Sequence, residues 1–88
     1  MENKMNTLED LVRIIRILRG ENGCPWDRVQ THASIRMDML EEAYEAADAI
    51  DKKDMKNLCE ELGDVLMQVV FHAEIETEQG GFTMGDVI

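Results

Sequence analysis

The chain has 88 residues, 44% of them hydrophobic and 32% charged, which fits one small globular domain and argues against disorder. Nine basic residues face 19 acidic ones, for a formal net charge of −10. That excludes a general nucleic-acid binder and attachment to an anionic membrane by charge alone. Cys24 and Cys59 have neither the number of a disulfide framework nor a zinc spacing. Met1–Leu8 lacks the apolar core of a signal peptide, and no apolar run is long enough to span a bilayer. The expected setting is the reduced cytoplasm.

One Pro and six Gly leave few helix breakers, so the reading is an all-α bundle of three to four helices. Residues 1–6 read as a polar, frayed start. Thr7 then caps a stripe of Leu8, Leu11, Val12, Ile15 and Leu18, with Asp10 completing a short capping box. Arg13, Arg16 and Arg19 lie on one side, and Gly20 ends the helix. Residues 20–33 form the longest irregular segment and hold the only Pro and the only Trp. A loop of this length in a compact domain is functional or poorly ordered, and Trp26 argues for order.

A second helix is expected over Ser34–Ile50 with an apolar face of Leu40, Ala43, Tyr44, Ala47 and Ile50. Asp51–Asp54 is a turn, and Asp54 is the N-cap of a third helix reaching about Gln79, stopped by Gly80-Gly81. Thr83 and Asp86 resemble the cap of a fourth. At 88 residues folding buries only roughly 60–65% of the unfolded chain's surface, so help from a partner subunit or a bound ion is expected.

The informative pattern is acidic. Asp38, Glu41, Glu42, Glu45 and Asp48 lie on the second helix, and Glu60, Glu61 and Asp64 on the third. Acids three or four apart on one helix repel by a few tenths of a kcal/mol per pair. Lys52 relieves Asp48 and Lys56 relieves Glu60, but Glu41, Glu42, Glu45, Glu61 and Asp64 have no base three or four positions away. If the two helices form a hairpin about residues 52–53, Glu45 is level with Glu61 and Glu42 with Asp64. Packed axes lie about 8–10 Å apart. Carboxylates reaching across that gap can share a hard divalent cation, Mg²⁺ with Mn²⁺ as its substitute. The bland alternative is an exposed acidic face. No Glu-x-x-His pair joins the cluster, against a di-iron bundle, and no glycine-bearing loop of an EF-hand is present. Magnesium held this way leaves room for phosphate oxygens, so metal-assisted hydrolysis of a phosphoric anhydride follows, with Glu41 as the base that takes a proton from water.

The run Glu41-Glu42-Ala43-Tyr44-Glu45 followed by Glu61-Leu62-Gly63-Asp64 resembles the Glu-Glu-x-x-Glu…Glu-x-x-Asp signature of the all-α nucleoside triphosphate pyrophosphohydrolases. Glu21-Asn22-Gly23-Cys24-Pro25-Trp26-Asp27, Gln30-Thr31 and Gly63-Asp64-Val65-Leu66 resemble the MazG branch, over about residues 8–88. The resemblance implies a single MazG-like domain over residues 1–88, a bundle completed by dimerisation, as a homodimer or a dimer of dimers. It implies Mg²⁺-dependent cleavage of dNTPs or NTPs between the α and β phosphates, giving monophosphate and pyrophosphate as a house-cleaning step. It implies Glu42, Glu45, Glu61 and Asp64 as metal ligands, and Glu41 as the first acid of the signature. Family sequences often carry Pro-Tyr where this chain has Met37-Asp38, and their domain continues into a further helix beyond the position of Ile88.

The remaining candidates each have two readings. Trp26 stacks on a nucleobase or plugs the bundle end. Arg28, Lys53, Arg36 and Lys56 hold the triphosphate or serve solubility. His32 and His72 read as packing or rim residues, Cys24 and Cys59 as small buried hydrophobes, and Met37, Met39 and Met67 as core or dimer contacts. The alternatives to the enzyme are an acidic helical interaction module and a divalent-ion binding protein without catalysis.

Overall fold

A computed structural model describes residues 6–88; apart from Asn6, the frayed start expected for residues 1–6 lies outside them. The Thr7 hydroxyl accepts from the Asp10 amide and Asp10 accepts from the Thr7 amide. This capping box opens α1, Leu8–Leu18. The 20–33 segment is more regular than expected. Pro25 sits in the first turn of a short α2, Pro25–Arg28, where its missing N–H is no loss. Just before it the chain doubles back so tightly that the Cys24 amide donates to the Leu18 carbonyl at 2.7 Å. A Cβ on Gly23 would collide with the Ile17 and Leu18 carbonyl oxygens there.

The second long helix, α3, runs Arg36–Asp51 and starts two residues later than expected. Ser34 is engaged in a turn instead: its Oγ accepts from the Thr31 amide at 2.8 Å, and its own amide donates to Thr31 Oγ1 at 3.1 Å. At the far end the Asp54 amide donates to the Ala49 carbonyl and the Lys53 amide to the Ile50 carbonyl. This Schellman-type stop puts Lys53 at φ 56°, in the left-handed region usually given to glycine. Asp54 then caps α4, Met55–Glu78, by accepting from the Asn57 amide at 3.2 Å. Gly80, at φ 76°, closes α4 in the same manner. A second capping box, Thr83 with Asp86, opens α5, Met84–Val87. The architecture is all-α, three long helices and two single turns among the described residues.

Helix α1 runs parallel to α4, and the pairing is ionic as well as apolar. Arg16 forks onto Glu74 at 2.9 and 3.0 Å, and Arg19 onto Glu78 at 2.7 and 3.0 Å. Between these rungs Ile15, Ile35, Val70, Phe71 and Ile75 form the core, with Leu8, Leu11, Val12, Leu18 and Met84 against it. Arg19 also donates to the backbone carbonyls of Asp27 and Gln30 and lies over the Phe71 ring, 5.2 Å from its centre. It therefore pins the loop to α4. His32 adds a second pin. Its Nε2 is 2.6 Å from Glu76 Oε2, an atom that only accepts when ionised, and its Nδ1 is 2.7 Å from His72 Nδ1. The two rings stack with centres 5.0 Å apart. Loss of water, then the neighbouring His32, lowers the His72 pKa. The histidines are packing residues, as the sequence suggested.

Helix α3 lies antiparallel to α4, and here the sequence reading of its buried face is corrected. Leu40, Ala43, Tyr44, Ala47 and Ile50 are exposed. The face turned inward carries Met39, Glu42, Ala46 and Ala49, with Ala49 wholly buried. Alanines let the axes approach closely, and this brings the acids of the two helices together. Cys59 is also exposed rather than buried, and Cys24 is half-buried. No helix among the described residues is long and apolar enough to cross a membrane.

The Glu74 carboxylate is 2% exposed, and Arg16 is its ion-pair partner. Arg16→Met strands that charge, so urea denaturation is expected to show a loss of about 2–3 kcal/mol, below the full buried-pair figure because the guanidinium is itself exposed. The double variant Arg16→Met/Glu74→Met is expected to recover most of it.

Candidate functional site

Glu42 and Glu45 are three residues apart on α3 and so share a face. Glu61 faces them from the second turn of α4. One carboxylate oxygen from each of Glu42, Glu45 and Glu61 falls within 4.8 Å of the others. Asp64, one turn along α4, is half-buried and close enough for its charge to raise the pKa of both Glu42 and Glu61. The level pairing expected from the hairpin register is therefore present.

The electrostatics are those of an uncompensated cluster. Proton sharing with Glu45 is the largest cause holding the Glu61 carboxyl at about 7, against an ordinary 4.5. Loss of water follows, then the charges of Glu45, Asp64 and Glu42. For Glu42, also raised, loss of water leads, followed by Glu45, Asp64, Asp38 and Glu41. Every charged group acting on these two carboxyls is an acid. Glu42 Oε2 and Glu61 Oε2 are buried and accept no hydrogen bond, an arrangement that a folded protein normally avoids.

A hard divalent cation fits this donor set. Opposite oxygens around magnesium stand roughly 4.2 Å apart, and around calcium roughly 4.6–5.2 Å. Three carboxylate oxygens no more than 4.8 Å from one another, two of their acids with buried and orphaned oxygens, are near enough for one ion to be shared among them. The ligand set offers oxygen only, which disfavours zinc and copper.

The other candidates stand apart from the cluster. Glu41 is exposed beside Glu42 and acts on it only weakly. Trp26, on α2, is 78% exposed and plugs nothing. Arg28 donates to the Glu21 carbonyl at 2.7 Å, so it braces the loop. Arg36 lies against the Met37 sulfur. Lys53 and Lys56 are exposed at and just beyond the hairpin tip. Lys52 pairs with Asp48 at 2.9 Å, as the spacing foretold. Of the methionines, Met37 is 54% exposed and Met67 39%, while Met39 is half-buried. The sequence reading missed the Arg16 and Arg19 rungs. Their spacing of three, against four for Glu74 and Glu78, was visible, but nothing local says that two helices sixty residues apart align.

Residues 30–88 match the MazG nucleotide pyrophosphohydrolase domain. Over 80 residues the chain is 55% identical to the nucleoside triphosphate pyrophosphohydrolase/pyrophosphatase MazG of Thermotoga maritima, covering 91% of this chain and 31% of that protein. Over 84 residues it is 49% identical to the nucleoside triphosphate pyrophosphohydrolase of Escherichia coli, covering 94% and 32%. It is 57% identical over 75 residues to the uncharacterized protein YabN of Bacillus subtilis, covering 85% and 15%. The chain thus spans a third or less of the length of these relatives.

The raised carboxyl pKa values give a signed prediction. Between pH 4.5 and about 7 the folded state keeps a proton on Glu61 that the unfolded chain has released. Stability therefore falls as pH rises through that window. Chelator-treated protein is expected to melt at a lower temperature at pH 7.5 than at pH 5. Glu61→Gln flattens the slope, and millimolar Mg²⁺ at pH 7.5 raises the melting temperature of the unsubstituted protein.

Proposed function

Because the chain belongs to the MazG nucleotide pyrophosphohydrolase domain family, we propose that it hydrolyses nucleoside triphosphates between the α and β phosphates, releasing the monophosphate and pyrophosphate. We read residues 1–88 as one domain of that kind, with Mg²⁺ or Mn²⁺ as cofactor and a house-cleaning role in the cytoplasm. The observation that carries the reading is the convergence of Glu42, Glu45 and Glu61 with no base among them. Its support is chemical: an acidic trough repels a triphosphate unless a cation stands between them.

Glu42, Glu45, Glu61 and Asp64 would hold the metal, which when bound supplies Lewis acidity to the phosphoryl oxygens. The rest falls to the chain. Glu41, exposed at the rim and outside the three-carboxylate cluster, accepts a proton from the water that attacks the α phosphorus. The bond from the α phosphorus to the oxygen it shares with the β phosphate then breaks, and pyrophosphate leaves with that oxygen and the electron pair. Lys53 on the hairpin tip and Arg28 at the end of α2 are the basic side chains we assign to the departing phosphates, and Trp26, bare on α2, offers a face for stacking.

The homodimer belongs to the same proposal. Leu40, Tyr44 and Ile50 on α3 and Leu62 and Leu66 on α4 are between 42% and 74% exposed. A second copy of the chain would cover them.

Pyrophosphate release from a panel of dNTPs and NTPs with Mg²⁺ tests the reaction. Glu45→Ala and Asp64→Ala are expected to abolish it with the helical circular dichroism intact. Glu41→Gln should lower kcat by roughly 10²–10⁴ without loss of metal-induced stabilisation. A folded protein inert toward every nucleotide would mark an interaction module or an ion-binding protein instead. In sedimentation, the unsubstituted chain is expected to run as two copies and Tyr44→Lys to shift it toward one.

A further inference from the structure

His32 stands between two partners on α4, and the number of protons the three can share is restricted. Glu76 Oε2 accepts from His32 Nε2 at 2.6 Å, so that ring nitrogen carries a hydrogen. The other nitrogen, His32 Nδ1, makes a 2.7 Å hydrogen bond with His72 Nδ1. A bond between two nitrogens needs one hydrogen and one lone pair. Two arrangements meet this. Either His32 is a cation that donates at both nitrogens, the second toward a neutral His72, or His32 is neutral and accepts from His72. A second hydrogen between the rings would set N–H against N–H across 2.7 Å, with both rings cationic. The contact therefore holds with one proton and fails with two.

The surroundings leave this chemistry to the pair. Glu76 is fixed from its far side, because its Oε1 fills the space that a Cβ on Gly81 would need. Of the other charged groups on the elements packed here, Arg16 is taken by Glu74, and Arg19 by Glu78 and by the Asp27 and Gln30 carbonyls. Asp86 accepts from the Thr83 amide. Loss of water, and then the charge of His32, lowers the His72 pKa. His32 is 44% exposed, so protons from solvent reach the pair.

What the contact fastens is the segment joining α2 to α3. Arg19 grips its first half at Asp27 and Gln30. In its second half the Thr31 amide donates to Ser34 Oγ, and the Ile35 amide to the Thr31 carbonyl at 3.2 Å. Among the described residues His32 is the one hydrogen-bonded tie from this turn to α4. We propose that the His32–His72 contact is a proton-operated latch on that segment: one shared proton keeps it shut, and a second, taken up in acid, opens it. His72 is built into α4 between the buried Phe71 and Ala73, so the connecting segment is the side that yields. The latch stands independently of the nucleotide reading.

A histidine whose pKa is lowered by folding lends stability that is whole above its ordinary 6.5 and is lost as pH falls below it. Glu61 acts in the opposite direction over part of the same range, so a melting temperature mixes the two and a local readout is needed. Amide hydrogen exchange, corrected for its intrinsic pH dependence, reads the latch at Thr31 and Ile35. Their protection is expected to hold between pH 7.5 and 6.5 and to fall about tenfold or more by pH 5, while the amide of the buried Val70 keeps its own. His72→Asn separates the causes: its side-chain amide can replace Nδ1 as the partner of His32 but takes up no proton, so the segment is expected to stay protected at pH 5. His72→Phe is expected to leave it open at both ends of the range. Ring ¹⁵N shifts of the unsubstituted protein are expected to show one proton shared by the Nδ1 pair at pH 7.5 and a second gained in step with the loss of protection. Protection at Thr31 and Ile35 that stays level down to pH 5 overturns the latch, as does a loss of the same size in His72→Asn.

Discussion

Three carboxylates brought within 4.8 Å of one another, with only acids acting on them, set the constraint that the hairpin must satisfy. Like charges at this separation push α3 and α4 apart, and the ordinary relief would be a rotation of one helix. That relief is blocked. Ala46 and Ala49 are buried against α4, and a step of one residue would turn α3 by about 100° and carry them off the contact. The Schellman-type stop at Lys53 and the Asp54 cap fix the ends of the turn, so the register cannot slip either. The strain of the acids is thus held by small side chains and a short turn.

The opposite end of α4 does the holding. Arg16 and Arg19 clamp α1 to Glu74 and Glu78, and Arg19 and His32 tie the intervening loop to the same helix surface. The ionic rungs are therefore gathered at the C-terminal end of α4 and the uncompensated acids nearer its start. A hydrophobic core under them would have made their charge harder to bear, because loss of water already raises Glu42 and Glu61. The net charge of −10 sharpens the point, since an anion can approach this end only alongside a cation.

Much of this was legible before any coordinates. Capping boxes are local, so Thr7 with Asp10 and Thr83 with Asp86 were readable, as were the hairpin turn and the level pairing of Glu45 with Glu61 that follows from it. What failed was the choice of face on α3. The stripe of Leu40, Tyr44 and Ile50 is the more hydrophobic one, and a rule that puts the greasier side inward assumes a single partner. Here α4 takes the side with Ala46, Ala49 and Glu42, and the greasy side is left bare. Ser34 misled by a different route, since its hydroxyl serves the preceding turn and delays the helix. The ionic rungs and the histidine stack were out of reach because they join residues forty to sixty positions apart, and side-chain type alone does not encode such pairing.

The sole indole of the chain is on α2, 78% bare to solvent, beside the Gln30 amide that donates to its backbone carbonyl. Its fluorescence colour in the native state is then already that of a ring in water, and melting the core would scarcely redden it. The same ring is unshielded against any flat molecule that settles on the loop. Intrinsic emission in this protein is accordingly a gauge of visitors rather than of integrity.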